Sequence, residues 1–225
     1  GGSYWWFKRA EPAQVAPGDI TPLTTFANDE RFPSVSPDGN QVAFSWQGEN
    51  GDNEDIYLIP VGAGTPLRLT TDALPDQSPA WSPDGSQLAF VRVGTRDERG
   101  IYVMPPVPNA ERRIGSVTQV LSGLSYAARV SWFPDGRRLA VSASDADSQM
   151  KGIVALDMNG AETRMIWSEL PNGSYRNPAV SPDGRALAYA LCTENFSCDV
   201  YVVALDENLR TRGEPRRLTP TSAIS

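Results

Sequence analysis

The sequence predicts an all-β protein, a β-propeller of four-stranded antiparallel blades with four blades present. The first observation is a Pro-Asp-Gly turn motif that occurs four times, with prolines at positions 37, 83, 134 and 182. Successive prolines are therefore 46, 51 and 48 residues apart. The second observation is that each motif is followed by short runs rich in β-branched and aromatic residues. A repeat in this length range indicates stacked units, and propeller blades are the common all-β form of such a repeat.

Each unit is predicted to contain four strands, which we name A to D in chain order. Strand A ends at the turn motif, where proline presets φ, aspartate accepts backbone hydrogen bonds and glycine takes the left-handed conformation. The remaining strands are predicted at 41–46, 87–92, 138–143 and 186–191 (strand B), at 55–59, 100–104, 152–156 and 199–203 (strand C), and at 66–70, 118–122, 163–167 and 215–219 (strand D). The four blades then span about 27–70, 73–122, 125–167 and 173–219.

Residues 20–25 are similar to the strand D sequences and are predicted to form one further, N-terminal D-type strand. In a closed propeller the N-terminal strand usually completes the last blade, but here the last blade has a strand D of its own. We therefore expect the chain to be a fragment of a larger ring. The predicted division is a tail and linker at 1–18 followed by a propeller at 19–225.

The first ten residues have a composition unusual for a soluble domain. Four consecutive aromatic residues, 4–7, precede Lys8 and Arg9. Aromatic residues with a basic flank are typical of the interface at which a transmembrane helix leaves the bilayer. One interpretation is a juxtamembrane segment whose helix lies upstream, and the other is an apolar tail that packs on the domain. No run of 18 apolar residues occurs, so no segment of this sequence is predicted to span a membrane.

The repeated motifs resemble those of the TolB-like β-propeller family. The shared features are Pro-x-x-Ser-Pro-Asp-Gly, a strand B of small residues, Asp-Ile-Tyr in strand C and Arg-Leu-Thr in strand D, over about residues 19 to 219. The third unit departs from them, with Phe133 in place of serine and Gly152-Ile-Val-Ala in strand C. The resemblance implies a periplasmic or extracytoplasmic location and a protein-interaction or sensory role. Together with the aromatic tail, it is similar to bacterial regulators tethered to the inner membrane, in which a winged-helix or kinase domain precedes the helix.

Composition argues against catalysis, cofactors and nucleic acid. Histidine is absent, which removes Ser-His-Asp catalysis and histidine-based zinc sites. The formal charge of −7 is the opposite of what a nucleic-acid surface requires. Ser36, Ser82 and Ser181 recur within the turn motif, and no Gly-x-Ser-x-Gly elbow is present to make one of them a nucleophile. The sequence therefore predicts no enzyme activity, no catalytic residues, no cofactor and no metal.

Two further features carry specific predictions. Cys192 and Cys198 flank the B-to-C connection of the fourth unit, where a hairpin places such residues opposite each other. We expect them to form a disulfide, the alternative being two reduced and buried thiols.

The acidic segment 49–55 offers oxygen ligands for calcium, but it lacks the complete twelve-residue pattern of a calcium loop. A solvated hairpin loop is the favoured interpretation of that segment.

The D-to-A and B-to-C loops are predicted to emerge on one side of the propeller, opposite the turn motifs. By sequence these loops hold fourteen acidic residues and five basic ones. Variable loops on a rigid scaffold often bind partners, so we expect a partner-binding face for a protein or peptide of basic character. Its predicted residues are Asp29, Glu30, Glu49, Asp52, Glu54, Asp76, Asp97, Glu98, Asp145, Asp147, Glu169 and Glu194. The alternative is that these charges only keep the protein soluble.

Three functions remain open at this level. The first is the non-catalytic sensor or protein-interaction domain of a membrane-anchored bacterial regulator, in contact with the membrane only through an upstream anchor. The second is the substrate-gating propeller of a serine peptidase of the prolyl oligopeptidase type. The third is a free periplasmic scaffold of the TolB kind.

Overall fold

Four antiparallel sheets follow one another along the chain. The structure, a computed structural model, describes residues 22–62, 64–94, 100–108, 112–116, 129–144, 150–169, 173–193 and 197–219. Blade one contains β1 (Glu30–Val35), β2 (Gln41–Trp46), β3 (Asp55–Pro60) and β4 (Leu67–Arg68). Blade two contains β5 (Asp76–Trp81), β6 (Leu88–Arg92), β7 (Gly100–Met104) and β8 (Arg112–Ser116). Blade three contains β9 (Val130–Trp132), β10 (Arg138–Ser144), β11 (Met150–Asp157) and β12 (Glu162–Glu169), and blade four contains β13 (Gly173–Val180), β14 (Ala186–Thr193), β15 (Cys198–Leu205) and β16 (Thr211–Arg217).

Each blade is a meander in which consecutive strands pair. The sheets pack in succession, because β5 lies against β1 and β2, β9 against β5, and β13 against β9 and β10. Within the described ranges, no comparable set of strand contacts joins blade four to blade one. The predicted all-β propeller of four four-stranded blades is therefore confirmed, while the larger ring stays a prediction.

The hydrophobic core consists of layers between neighbouring blades. Between blades one and two, Ile56 and Leu69 of the first blade pack against Leu88 and Phe90 of the second, and all four are fully buried. Similar layers lie between blades two and three and between blades three and four. The strand B alanines of the first three blades have no exposed surface, so their small size permits the close approach of adjacent sheets.

Tryptophan side chains add hydrogen bonds across these layers. The Trp81 indole Nε1–H donates to the carbonyl oxygen of Ser34 at 3.2 Å, and that of Trp132 donates to the carbonyl oxygen of Ala80 at 2.9 Å. Both bonds run from the strand A of one blade to the strand A of the blade before it. The blades are thus held together at their inner strands by polar as well as apolar contacts.

The repeated serine and aspartate form the turn between strands A and B. The Ser36 hydroxyl donates to Asp38 Oδ1 at 2.6 Å and accepts the backbone N–H of Gln41 at 2.9 Å. The serines of blades two and four make the same two bonds. The turn glycines have φ between 64° and 75°, a range that side chains disfavour. These serines are turn residues, as the sequence predicts.

Blade three closes the same turn with other side chains. Phe133 replaces the serine and is buried in the core, while Asp135 accepts from the Arg137 N–H at 2.9 Å and from Arg138 Nε at 2.7 Å. The Arg138 guanidinium lies over the Phe133 ring, with its carbon 5.2 Å from the ring centre. Arg138 thus replaces the hydroxyl as the side-chain donor to the aspartate, and Asp135 itself accepts the Arg138 backbone N–H at 3.2 Å.

Two strand predictions need correction. In blade two the last strand is β8 at Arg112–Ser116, earlier than the predicted 118–122, because the chain turns back directly after β7 with a hydrogen bond from Val107 N–H to Pro105 O. The segment 117–128 lies outside the described residues. The predicted N-terminal strand at 20–25 is wrong for its described part, since 22–25 contains no strand. Phe26, directly after this segment, is stacked on Trp46 with the two ring centres 5.0 Å apart.

The part of the chain described above includes no helix with the length and apolar character that crossing a bilayer requires. The aromatic tail at 4–9 lies outside that part, and its juxtamembrane interpretation stays a prediction.

Candidate functional site

The loop face of blade one is built by a bridging asparagine. Asn28 Nδ2 donates to the carbonyl oxygens of Gly48 at 2.8 Å and Glu49 at 3.3 Å. This fastens the connection before strand A to the connection between strands B and C, so that both loops present one surface. Glu49 and Asp52 are exposed on this surface, and the exposed Asp29 beside Asn28 forms an ion pair with Arg31.

Glu54 and Asp76 do not belong to the exposed acidic face on which the sequence predicted them. Asp76 has no exposed surface, and Glu54 is 9% exposed. Burial raises the pKa of Glu54, and Gln77 Nε2 donates to its carboxylate at 2.5 Å. The Asp76 N–H also donates to the Glu54 carbonyl oxygen at 2.7 Å. These residues join blades one and two, and a partner could not reach the Asp76 carboxylate. Glu30 is half-buried and accepts a hydrogen bond from Thr24 Oγ1.

Asp76 is held by a buried arginine. Arg92 donates from Nε and Nη2 to the two oxygens of Asp76, both at 2.8 Å, and from Nη1 to Asp72 Oδ2 at 2.7 Å. The guanidinium carbon lies 4.4 Å from the ring centre of Tyr102. Burial raises the pKa of Asp76 to about 6, against the opposing effect of the Arg92 hydrogen bonds. Burial alone would lower the pKa of Arg92, but its bonds to Asp76 raise it, so the guanidinium remains charged.

A second polar group accounts for the Asp-x-Tyr and Arg-Leu-Thr sequences that blades one and four share. Asp55, at the start of strand C, binds Arg68 and accepts from Thr70 Oγ1 at 3.2 Å, both at the end of the same blade. Asp55 and Thr70 have no exposed surface, and Arg92 and Asp76 of blade two lie close to them. The Asp55 carboxylate is therefore engaged in the fold, which removes a required ligand from the calcium interpretation of 49–55.

Blade four carries the same group on an open surface. Asp199 accepts from Arg217 Nη2 at 2.6 Å and from Thr219 Oγ1 at 2.8 Å. Leu218, the counterpart of the fully buried Leu69, is 46% exposed. The fourth sheet therefore exposes, on its outer face, side chains whose counterparts in blade one are buried between two blades.

Strand pairing makes four inner positions equivalent, one in each blade. Each lies two residues before the strand A residue that pairs with the alanine of strand B, and they are Phe32, Ser78, Arg129 and Asn177. In three blades the residue has a left-handed φ of 50° to 57°, precedes a proline and coincides with a register shift in strand A. Such a conformation is unfavourable for a non-glycine residue, so the surrounding sheet must impose it. Blade three has Val130 in place of the proline, and Arg129 is not among the residues with positive φ.

These inner positions border a cleft that was not among the predictions from the sequence. The cleft has a volume of about 150 Å³ between the inner strands of blades one, two and three, and Phe32, Ser78 and Arg129 contribute to its lining. The Arg129 guanidinium carbon lies 5.2 Å from the centre of the Phe32 ring, which connects blade three to blade one. A signal was present in the sequence, since the third unit alone lacks the first proline of Pro-x-x-Ser-Pro-Asp-Gly.

A larger groove, of about 780 Å³, lies beside the A-to-B turns of blades three and four. Its lining includes Asp135, Asp183 and Asp206, which accept hydrogen bonds from their own turns. These carboxylates are already used to shape the loops.

The remaining predicted residues can be placed only in part. Asp97, Glu98, Asp145, Asp147 and Glu194 lie outside the described residues, and Glu169 is the last residue of β12. The Sγ atoms of Cys192 and Cys198 are joined in a disulfide, and the two residues pair directly across β14 and β15. Across the described ranges, no cluster of three or more acidic or cysteine side chains is arranged to hold a metal.

The four sheets, their layered core and the A-to-B turns define the protein as a β-propeller. A family model described as the TolB beta propeller domain matches residues 12–214, and the chain belongs to this family. The resemblance seen in the motifs is thereby confirmed.

Solved structures show the same fold. TolB from Acinetobacter baumannii matches 87% of this chain and 44% of its own at 22% identity, with a TM-score of 0.65. The putative TolB from Agrobacterium tumefaciens matches 88% of this chain and 65% of its own at 20% identity, with a TM-score of 0.64. Prolyl oligopeptidase B from Galerina marginata matches 84% of this chain and 30% of its own at 15% identity, with a TM-score of 0.53. The chain therefore spans less than two thirds of each of these proteins, and no curated protein matches it in sequence.

Proposed function

We propose that the chain is a non-catalytic protein-interaction domain that binds a basic protein or peptide through its loop face. The observation that carries the proposal is the Asn28 bridge, which fixes two connections of blade one into one surface with Glu49 and Asp52 exposed. Acidic side chains fixed on a rigid scaffold attract a cationic partner without first having to be ordered. Membership of the TolB propeller family supports an interaction role, because propellers provide such scaffolds.

We further propose that the domain is extracytoplasmic and is tethered to the inner membrane as part of a bacterial regulator. The disulfide between Cys192 and Cys198 supports an oxidising compartment. The aromatic and basic residues at 4–9 support a neighbouring membrane anchor. The test is to express the protein with its natural flanking sequence and to treat spheroplasts with protease. Cleavage of the propeller in intact spheroplasts supports the location, and protection until the membrane is opened contradicts it.

Binding can be tested with a decalysine peptide as the cationic probe. Fluorescence anisotropy of the labelled peptide at low salt should show binding to the chain, and E49K/D52K should weaken it by about tenfold or more, because attraction becomes repulsion. The matched control is E207K/E214K, which makes the same change in net charge at two exposed residues of blade four. Equal weakening by both double variants would show that only net charge matters, and the loop face would then not be the binding surface.

A further inference from the structure

We propose that the inner cleft beside Arg129 is a binding site for a carboxylate group. The cleft is small, about 150 Å³, and lies where the inner strands of blades one to three converge. This volume equals the space of roughly five water molecules in the liquid. It fits a single carboxylate with a short stem and is below the size of pockets that enclose drug-sized ligands.

Arg129 supplies the positive charge of the site. The ion pairs found among the described residues do not include Arg129, although the chain contains 27 acidic and 20 basic residues. Its contact with a described residue is the Phe32 ring, which the guanidinium carbon approaches to 5.2 Å. An aromatic contact uses the face of the guanidinium and leaves its N–H donors available in the plane. A carboxylate can accept two parallel hydrogen bonds from that planar set of donors.

Ser78 provides a second polar group. It lines the cleft, is 3% exposed, and its hydroxyl is buried without a hydrogen-bond partner among the described residues. Buried hydroxyl groups in native proteins are normally paired, and an unpaired one carries a desolvation cost. Rotation of the Ser78 side chain towards the cleft would let this hydroxyl donate to a carboxylate oxygen there.

The walls of the cleft are fixed in advance. Ser34 and Ala80 line it, and their carbonyl oxygens accept the indole N–H groups of Trp81 and Trp132. The Trp81 backbone N–H also donates to Ser34 Oγ at 3.3 Å. Pre-organised walls reduce the entropy lost on binding, which matters most for a ligand that makes few contacts. The site is independent of the loop-face acids, so it does not rest on the proposed function.

The test uses nuclear magnetic resonance of the 225-residue chain labelled with 15N, with sodium acetate as the first probe. The Arg129 Nε–H and Ser78 backbone signals should shift saturably, with a midpoint in the millimolar range, and sodium chloride at equal ionic strength should not reproduce the shift. N-acetyl-triglycine and its carboxamide are the second pair of probes. A lower midpoint for the peptide acid than for acetate identifies the C-terminus of a peptide chain as the source of the carboxylate. Equal midpoints identify small free acids as its source. A carboxamide that shifts the signals as strongly as the acid overturns the proposal.

Variants separate the site from general effects of charge. R129Q should weaken acetate binding at the Ser78 signal by about tenfold or more, since a charge-assisted pair is lost. R129K, which keeps the charge but not the planar donors, should cause a smaller loss. R185Q changes an exposed arginine in the turn of blade four and should leave binding unchanged. Retention of full affinity in a folded R129Q chain overturns the proposal, as does a wild-type chain whose two signals do not respond.

Discussion

Trp132 donates its indole N–H to the carbonyl oxygen of Ala80 at 2.9 Å, although the two residues are 52 positions apart in the chain. The bond joins strand A of blade three to strand A of blade two. Trp132 is also part of the apolar layer between those blades and is only 7% exposed. One side chain therefore supplies both apolar area and a polar connection between consecutive sheets.

Replacement of Trp132 by phenylalanine should lower the free energy of unfolding by about 1–3 kcal/mol, because the Ala80 carbonyl loses its donor and part of the apolar contact disappears. Urea unfolding followed by circular dichroism measures the change. The control is V35A, since Val35 has the same position in blade one but is 60% exposed. A loss for W132F no larger than that for V35A would contradict a structural role for the bond.

Replacement of Ser82 by alanine should destabilise the protein by roughly 1–2 kcal/mol at neutral pH. The substitution removes the donor to Asp84 at 2.6 Å and the acceptor of the Gln87 N–H at 2.9 Å. S86A removes only bonds made by an exposed hydroxyl to the same carboxylate and should cost less. Chemical denaturation of the two variants in parallel gives the comparison. Equal losses of unfolding free energy would contradict a larger stabilising role for the motif serine.

The same turns predict loss of stability in acid. Hydrogen bonds from the motif serines lower the pKa of Asp38, Asp84 and Asp183, that of Asp84 to about 2. Because the folded pKa is below the unfolded value, this contribution is complete above about pH 4 and is lost as the pH falls towards 2. Melting temperatures between pH 2 and 5 should drop less steeply in S82A, since one of the three lowered pKa values then returns towards normal. Parallel curves for S82A and the wild type would contradict this.

Asp76 should have the opposite dependence on pH. Its pKa is raised from 3.8 to about 6 by burial, so between about pH 4 and 6 the folded state holds a proton that the unfolded state releases. This contribution is complete below about pH 4 and is lost as the pH rises through 6, for a total on the order of 3 kcal/mol. Unfolding free energies from pH 4 to 7 should show this decline in the wild type and in D72N but not in D76N. D76N should also be less stable overall, because Arg92 loses a charged partner and one of the two oxygens that accept its hydrogen bonds.

Removal of the disulfide should destabilise blade four. Cys192 and Cys198 are six positions apart, so chain-entropy arguments give a small effect, about 2 kcal/mol. The double variant C192S/C198S should unfold at lower urea concentration than the oxidised wild type and at about the same concentration as the reduced wild type. Intact mass after alkylation without reductant tests the bridge itself, and two alkylated cysteines would exclude it.

The blades could be read from the sequence because turn chemistry is local. Pro-Asp-Gly specifies its own turn and the strand that follows, and the predicted strand B at 41–46 coincides with β2. The predicted limits of strand D were less accurate, since an outer strand has few contacts and its register depends on the length of the preceding connection. The family was also recognisable, as the Pro-Asp-Gly turn recurs in every unit and the other short motifs recur in some of them.

The site was only partly predictable because exposure depends on how sheets pack. Asp76 and Glu49 are alike as loop acids in the sequence, yet one is buried against Arg92 and the other is exposed. The contact between Phe32 and Arg129 joins residues 97 positions apart, and only the convergence of three inner strands brings them together. The hydroxyl of Ser78, which has no hydrogen-bond partner among the described residues, likewise lies in surroundings formed by strands of other blades.

Every sheet in the described structure is made from one uninterrupted stretch of chain, which has a consequence for synthesis on the ribosome. A blade can form its hydrogen bonds as soon as its own strands have emerged, because no strand is borrowed from a distant part of the chain. The exposed face of each completed sheet then offers a ready surface on which the next one condenses. Folding can thus proceed vectorially, from the first unit to the last, with only one uncovered face at the growing end at any time.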